Sequence, residues 1–309
     1  MKRLFVAVAA LALAAGIASA QDFNAAVEAF NAGAQAASKT EALAQFKTAL
    51  ALFEACTEDE AVDKVAECKR IIPQTILSIA KEQINEAQYD EAIATLFEAA
   101  TVADQYGIED VAVEAQGLIA NAWYRKGAAL LKDKDYAGAA DALQEAITLN
   151  PEDGQCQLLL GQALMQSGKV DESILVLETA ALFGKADQAN KLLSNIYLKK
   201  GQALLKANKA AEAIDALEKS NGYLESANAF KLIASAYTKL GKGKDAINAY
   251  KKYLEINPNA SDAADVMFTI AATAQKAGDK ATAIEYYKML TSNSKYAAQA
   301  SQQLGALQK

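Results

Sequence analysis

The stretch Ala122–Asp153, "AWYRKGAALLKDKDYAGAADALQEAITLNPED", holds the chain's only tryptophan, a glycine four residues after it and a proline near its end. Two segments with helical spacing of apolar residues flank the polar turn "KDKDY", Lys132–Tyr136. Gly127, Ala139 and Ala146 are small, while Leu130 and Leu143 are large. Small residues let two antiparallel helices approach, and large ones at i, i+3, i+4 and i+7 fill the groove between them. Asn150–Pro151 closes the second segment, because the residue before a proline is pushed out of helical geometry. The pattern is that of a helix–turn–helix, and the rest of the chain decides whether it stands alone.

It does not. Seven segments fall into register on a small residue after a turn: Ala42, Ala92, Ala139, Ser173, Ala213, Ala246 and Ala283. Four residues later stand Phe46, Leu96, Leu143, Leu177, Leu217, Tyr250 and Tyr287. Three further on come Ala49, Ala99, Ala146, Ala180, Ser220, Tyr253 and Leu290. Twelve residues before each marker lie Phe30, Ala80, Gly127, Gly161, Gly201, Ala234 and Ala271, small in all but the first. The turns between, such as "NEAQYD", "QSGKVD", "KANKA", "KLGKGKD" and "KAGDK", are built from helix-stopping residues. Each hairpin alone buries one face only, so neighbours must stack.

This pattern resembles the tetratricopeptide repeat, a helix–turn–helix unit, from about Phe23 onward. Trp123, Gly127, Leu130, Ala139, Leu143, Ala146 and Pro151 occupy the family's places, with Lys126 where Leu is usual. Ala227–Ala260 matches next best through Phe230, Ile233, Ala234, Tyr237, Ala246, Tyr250 and Pro258. The resemblance implies an all-α fold, a right-handed α-solenoid of about seven repeats, with Tyr296–Lys309 as a capping helix.

The strides are 50, 47, 34, 40, 33 and 37 residues. The two longest insert Thr57–Ile72 and Gly107–Ile119, both helical in pattern, which are expected to lengthen the first helices that follow. Pro73 is expected to start or kink its helix. These departures divide the chain into a leader, 1–20, irregular repeats with long helices, 21–119, and regular repeats with the cap, 120–309.

Lys2 and Arg3, the apolar run Leu4–Ile17 and the small residues Ala18–Ser19–Ala20 have the layout of a secretory signal peptide. The apolar run falls short of the ~20 residues that span a bilayer, so cleavage is expected, not anchoring. No cysteine follows the cleavage site, which gives no support to a lipid anchor. The mature protein is expected in a bacterial periplasm or secreted, without membrane insertion. Removing Lys2 and Arg3 from the 31 basic residues leaves 29 against 38 acidic, a net charge of −9 that argues against nucleic acid as a partner. In an oxidising compartment Cys56 and Cys68 can pair, leaving Cys156 alone. Against that pairing, a tight turn at Thr57–Asp59 would hold Cys68 over two helical turns from Cys56, and bonded Cα atoms lie within ~7 Å.

The chain has no histidine, which removes the commonest general base and metal ligand. It also lacks a phosphate-binding glycine loop and a zinc-type cysteine spacing. No enzyme activity, metal or cofactor is expected. Trp123 stands at a packing place between helices. The resemblance implies a peptide or protein partner, held in a concave groove lined by first helices. The groove-facing places hold Asn121, Tyr124, Gln155, Leu158, Gln162, Gln166, Asn195, Gln202, Asn228, Lys231 and Ser235. The amides Asn121, Gln155, Asn195 and Asn228 repeat at one place, and an amide offers both donor and acceptor to a peptide backbone. Lys132, Lys206, Lys239 and Lys276 recur near first-helix C-termini, where they offset the helix dipole. Self-assembly into a homo-oligomer and binding of a glycan or small ligand are the competing readings.

Overall fold

The computed structural model describes residues 20–55 and 59–308, with side-chain environments from residue 23 onward. All of the expected leader except Ala20 lies outside the described residues, as does Cys56 of the expected cysteine pair. The fold is all-α. Its elements are α1 (Ala20–Gln35), α2 (Lys39–Ala55), α3 (Asp59–Asn85), α4 (Tyr89–Tyr106), α5 (Glu109–Lys132) and α6 (Tyr136–Leu149). There follow α7 (Gly154–Gln166), α8 (Val170–Ala180), α9 (Ala186–Lys206), α10 (Ala210–Tyr223), α11 (Ala227–Lys239), α12 (Gly243–Ile256), α13 (Ala263–Lys276), α14 (Lys280–Met289) and α15 (Ala297–Leu307). They pair as seven hairpins, α1–α2 through α13–α14, with α15 packed on α14.

The chain forms two compact units, one ending at Pro151 and one beginning at Glu152. The division expected at 119/120 falls inside α5, which runs unbroken through it. Unit 1 stacks α1–α5 on one core, from Ala26 through Phe53, Ile76 and Leu96 to Ala122, and α6 pairs with α5. In unit 2, α8 packs on α9, α10 on α11, and α12 on α13, so successive hairpins stack.

The small–large code of the sequence is the packing code of the hairpins. A Cβ placed on Gly127 would meet Leu143 Cγ at 2.5 Å, on Gly161 Leu177 Cγ at 2.6 Å, and on Gly201 Leu217 Cγ at 2.5 Å. The leucines of all three pairs are fully buried. Ser173 takes the alanine place of its repeat by donating its hydroxyl to the Gly161 carbonyl at 2.8 Å. Ser220 likewise bonds the Ser194 carbonyl at 2.9 Å, so neither buried hydroxyl is left unsatisfied.

In the first hairpin the expected small residue, Phe30, is instead a ring set edge-on to Phe46 at 5.5 Å. Gly33 supplies the close approach, its Cβ position 2.9 Å from the Phe46 ring. The connection between α1 and α2 has three residues, as in the other hairpins, but the glycine sits one turn nearer the end of its helix, 13 residues before its large partner instead of 16.

The other six hairpins turn through one left-handed residue each: Ala87, Lys134, Gly168, Asn208, Gly241 and Gly278, with φ from 59° to 90°. Each turn is closed by a backbone N–H three residues past the helix bonding back five residues, as Asp135 does to Leu130 at 2.9 Å and Lys242 to Tyr237 at 2.9 Å. The long insertions extend α3 and α5 as expected. Pro73 neither starts nor ends α3, which continues through it. Between α8 and α9 runs a kinked connection, Ala181–Lys185, bent at Phe183 (φ −94°, ψ 39°) and Gly184 (φ 81°, ψ 14°), and the stride of 40 residues is taken up by α9, which is 21 residues long.

Candidate functional site

Asn121 and Tyr124 lie on α5 in unit 1, whereas Gln155, Leu158, Gln162, Gln166, Asn195, Gln202, Asn228 and Lys231 lie on α7, α9 and α11 in unit 2. The row of four amides is therefore divided, and only Gln155, Asn195 and Asn228 share a unit. Asn195 and Asn228 are exposed, while Gln155, Gln162 and Gln202 are half-buried and Gln166 is exposed. Trp123 packs on the core of unit 1, with the Lys126 ammonium 4.9 Å from the centre of its ring.

Leu158 is a correction. It is 3% exposed and packs with Ile174, Leu177, Ala189, Leu193 and Ile196, so it belongs to the core and not to an open groove. The kinked connection itself lies against the start of α7: a Cβ on Gly154 would meet the Phe183 carbonyl at 2.2 Å. Lys231 is not an uncommitted cation either. Its ammonium pairs with Asp262, which also accepts from the Tyr253 hydroxyl, and it lies 5.6 Å from the Tyr253 ring centre. This trio ties α11 and α12 to the start of α13. The Lys231 and Tyr253 hydrogen bonds hold the Asp262 carboxyl below its usual range, and the bond to Asp262 together with burial pushes the Tyr253 hydroxyl up to about 12. Lys239 donates to the Leu205 carbonyl in the last turn of α9 at 3.2 Å, as its place near a helix C-terminus implies.

Asn195 does line a cleft. A space of about 730 Å³ opens between the end of α7, the start of α8 and α9, walled by Met165, Val170, Leu192 and Ile196, with Asn195, Lys199, Lys200 and Asp171 at its polar side. α9 has 21 residues against 13 in α7 and α11, so the six residues beyond a 34-residue stride lie in this helix, and the cleft opens along it. Lys199 and Lys200 are exposed and form no salt bridge among the described residues. An apolar wall beside two ammonium groups and an amide suits a peptide with an apolar anchor next to an acidic group.

A second cleft, about 560 Å³, lies between α11 and α13 and is lined by Thr238, Phe268, Thr269, Ala272, Thr273 and Lys276. Sequence reasoning missed these as groove residues, although the signal was there. Carrying Lys231 and Ser235 forward by the 37-residue stride lands on Phe268 and Ala272. Phe268 is fixed by stacking on Tyr296 at 4.6 Å and by the edge of Tyr287 at 5.8 Å. Both clefts lie in unit 2, and first helices supply most of the lining of each.

Elsewhere the chemistry is quiet. Cys68 and Cys156 are buried, and burial pushes their thiols up to about 11 and about 12, which leaves little thiolate at neutral pH. Among the described residues no group of three or more acidic or cysteine side chains is placed to hold a metal ion. No described helix is long and apolar enough to cross a membrane.

Family comparison agrees with this architecture. Tetratricopeptide repeat profiles match residues 77–153, 130–196 and 265–294, and the profile of anaphase-promoting complex, cyclosome, subunit 3 matches 182–253. The chain is a tetratricopeptide-repeat protein. Comparison with curated proteins gives no match. Similar solved structures include MamA from Desulfovibrio magneticus RS-1, at 18% identity over 56% of this chain and 93% of that one, with a TM-score of 0.33. YrrB, described as a TPR protein with an unusual peptide-binding site, is 17% identical over 66% and 91%, with a TM-score of 0.33. PilW, a type IV pilus biogenesis factor, is 20% identical over 75% and 98%, with a TM-score of 0.30. At these scores the likenesses carry no argument about function.

Proposed function

We propose that unit 2 holds a peptide or protein partner along the face formed by its first helices, with the cleft at Asn195 as the anchoring point. The observation that carries this reading is the composition of that cleft: Met165, Leu192 and Ile196 form an apolar wall directly beside Lys199, Lys200 and Asn195. Burial of an apolar anchor supplies most of the affinity, about 25 cal/mol per Å² of apolar surface removed from water. The ammonium groups select an acidic neighbour and steer its approach. The α11–α13 cleft, with Phe268 and Lys276, offers a second contact for an extended segment.

The leader-like segment at 1–20 supports export of the mature chain, and a role among proteins of the cell envelope follows from that reading. Fractionation of the native cells tests the export. For the groove, affinity capture from native extracts compares the wild type with Asn195→Trp, which plugs the cleft, and with Lys199→Glu/Lys200→Glu. Recovery of a stoichiometric partner should fall at least tenfold in both variants while their circular dichroism is unchanged. Equal recovery by all three proteins would contradict the groove.

A further inference from the structure

Unit 2 carries a third cleft, on the side formed by its second helices, that shares no residue with the two described above. It spans about 310 Å³ between α10 and α12. Its floor is α11 seen between them: Phe230, Ile233 and Tyr237. Glu218 and Asn221 of α10 form one wall, and Asp245, Asn248, Ala249 and Lys252 of α12 form the other. The short side chains of Asn248 and Ala249 leave the aromatic floor uncovered.

The charge around this floor is mostly negative, and Glu218 accepts a hydrogen bond from the Tyr237 hydroxyl. Glu218 and Asp245 are exposed and make no salt bridge among the described residues. The Tyr237 hydroxyl is pushed up by burial, then by the negative charges of Glu218, Asp245 and Asp215 and by its hydrogen bond to Glu218. Of the nearby cations, Lys252 is bonded to Glu255 at 2.8 Å, and Lys242 lies 5.9 Å from the Tyr237 ring centre. The chain thus already sets an ammonium over this ring, as a cation–π contact requires. One more donor lacks a partner: Asn221 Nδ2 is buried without an acceptor, while its Oδ1 accepts from the Ser226 N–H at 3.0 Å and so fixes the amide.

We propose that this cleft receives a basic side chain, arginine or lysine, presented by a partner protein. The aliphatic stem lies on Phe230 and Ile233, the cationic head lies against the Tyr237 ring, and Glu218 and Asp245 pair with it from opposite walls. A planar guanidinium fits best, because it stacks on an aromatic face and still bonds carboxylates at its edge. This site is independent of the first-helix groove, and a partner engaging both would grip unit 2 from two sides.

The test is an amide-resolved NMR titration of the mature protein with acetyl-Gly-Arg-Gly-amide and with its citrulline counterpart, which keeps the shape and loses the charge. The arginine peptide should shift the amides of Glu218, Asn221, Tyr237, Asp245 and Asn248. The citrulline peptide should not. Glu218→Gln/Asp245→Asn should weaken the arginine peptide at least tenfold, while signals away from the cleft stay in place and confirm the fold. Shifts scattered over the whole acidic surface, equal responses to the two peptides, or undiminished binding by the double variant would each overturn the proposal. If the double variant fails to fold, the comparison of the two peptides on the wild type decides alone.

Discussion

Gly127 lies against Leu143 so closely that a Cβ on the glycine would stand 2.5 Å from the leucine's Cγ and 3.2 Å from the Ala139 carbonyl oxygen. Leu143 is fully buried and cannot swing away. Overpacking of this kind costs about 1–3 kcal/mol, against about 1 kcal/mol that alanine gains over glycine inside a helix. Gly127→Ala is therefore expected to destabilise unit 1. Gly117, in the same helix, has nothing within 4 Å of its Cβ position. There the same substitution should stabilise by about 0.5–1 kcal/mol. Urea unfolding of the two variants, read by circular dichroism, should give shifts of opposite sign.

The hairpin turns give a second pair of opposite signs. Lys134 and Ala87 hold φ values of 65° and 60° at the place where Gly168, Gly241 and Gly278 stand in other repeats. A left-handed conformation costs an ordinary residue roughly 1–2 kcal/mol that glycine escapes. Lys134→Gly and Ala87→Gly should raise thermal stability by up to about 1 kcal/mol, less the entropy that glycine loses on folding. Gly168→Ala, at φ 90°, should lower it. A fall in melting temperature for Lys134→Gly would show that the Lys134 side chain contributes more than its backbone strain costs.

How much was readable in the sequence follows from these distances along the chain. Gly127, Gly161 and Gly201 meet large partners on the second helix of their own hairpin, and a fixed spacing of 16 residues is visible without a structure. Gly33 was hidden, because it stands three places nearer the turn than the other packing glycines and leaves Phe30 in their register. The site was less legible for a similar reason. Leu158 shares the register of Tyr124, but α9 covers it after the kink at Phe183–Gly184, which no repeat position records. Lys231 looked available until the fold brought Asp262 to it from 31 residues away. Register predicts which face a residue occupies; it does not predict what an irregular neighbour lays over that face.

Acid should loosen the last repeats first. Asp262 is held below the usual carboxylate range by Lys231 and Tyr253, Asp265 by Lys295 and Tyr296, and Asp279 by Thr282. A carboxyl whose folded pKa is depressed adds stability above its unfolded value, about 4, and that contribution disappears as pH falls through the lower folded value. Hydrogen exchange in α13–α15 should therefore accelerate, relative to unit 1, between about pH 5 and pH 2 after correction for intrinsic rates. Lys231→Met should lower protection of α13 at neutral pH and flatten part of its acid dependence. An unchanged profile would remove the Lys231–Asp262–Tyr253 trio from the account of how these repeats are joined.

The Asn195 cleft makes the central claim, and site-specific photocrosslinking tests it most directly. A benzophenone side chain placed at Asn195 or Lys199, on the first-helix face, should form one covalent adduct of constant mass in the native cell. The same group at Glu172 or at Leu175, which is 66% exposed on α8, should form none. Adducts of equal yield from both faces, or from the α8 positions alone, would contradict the groove and move the partner to another surface.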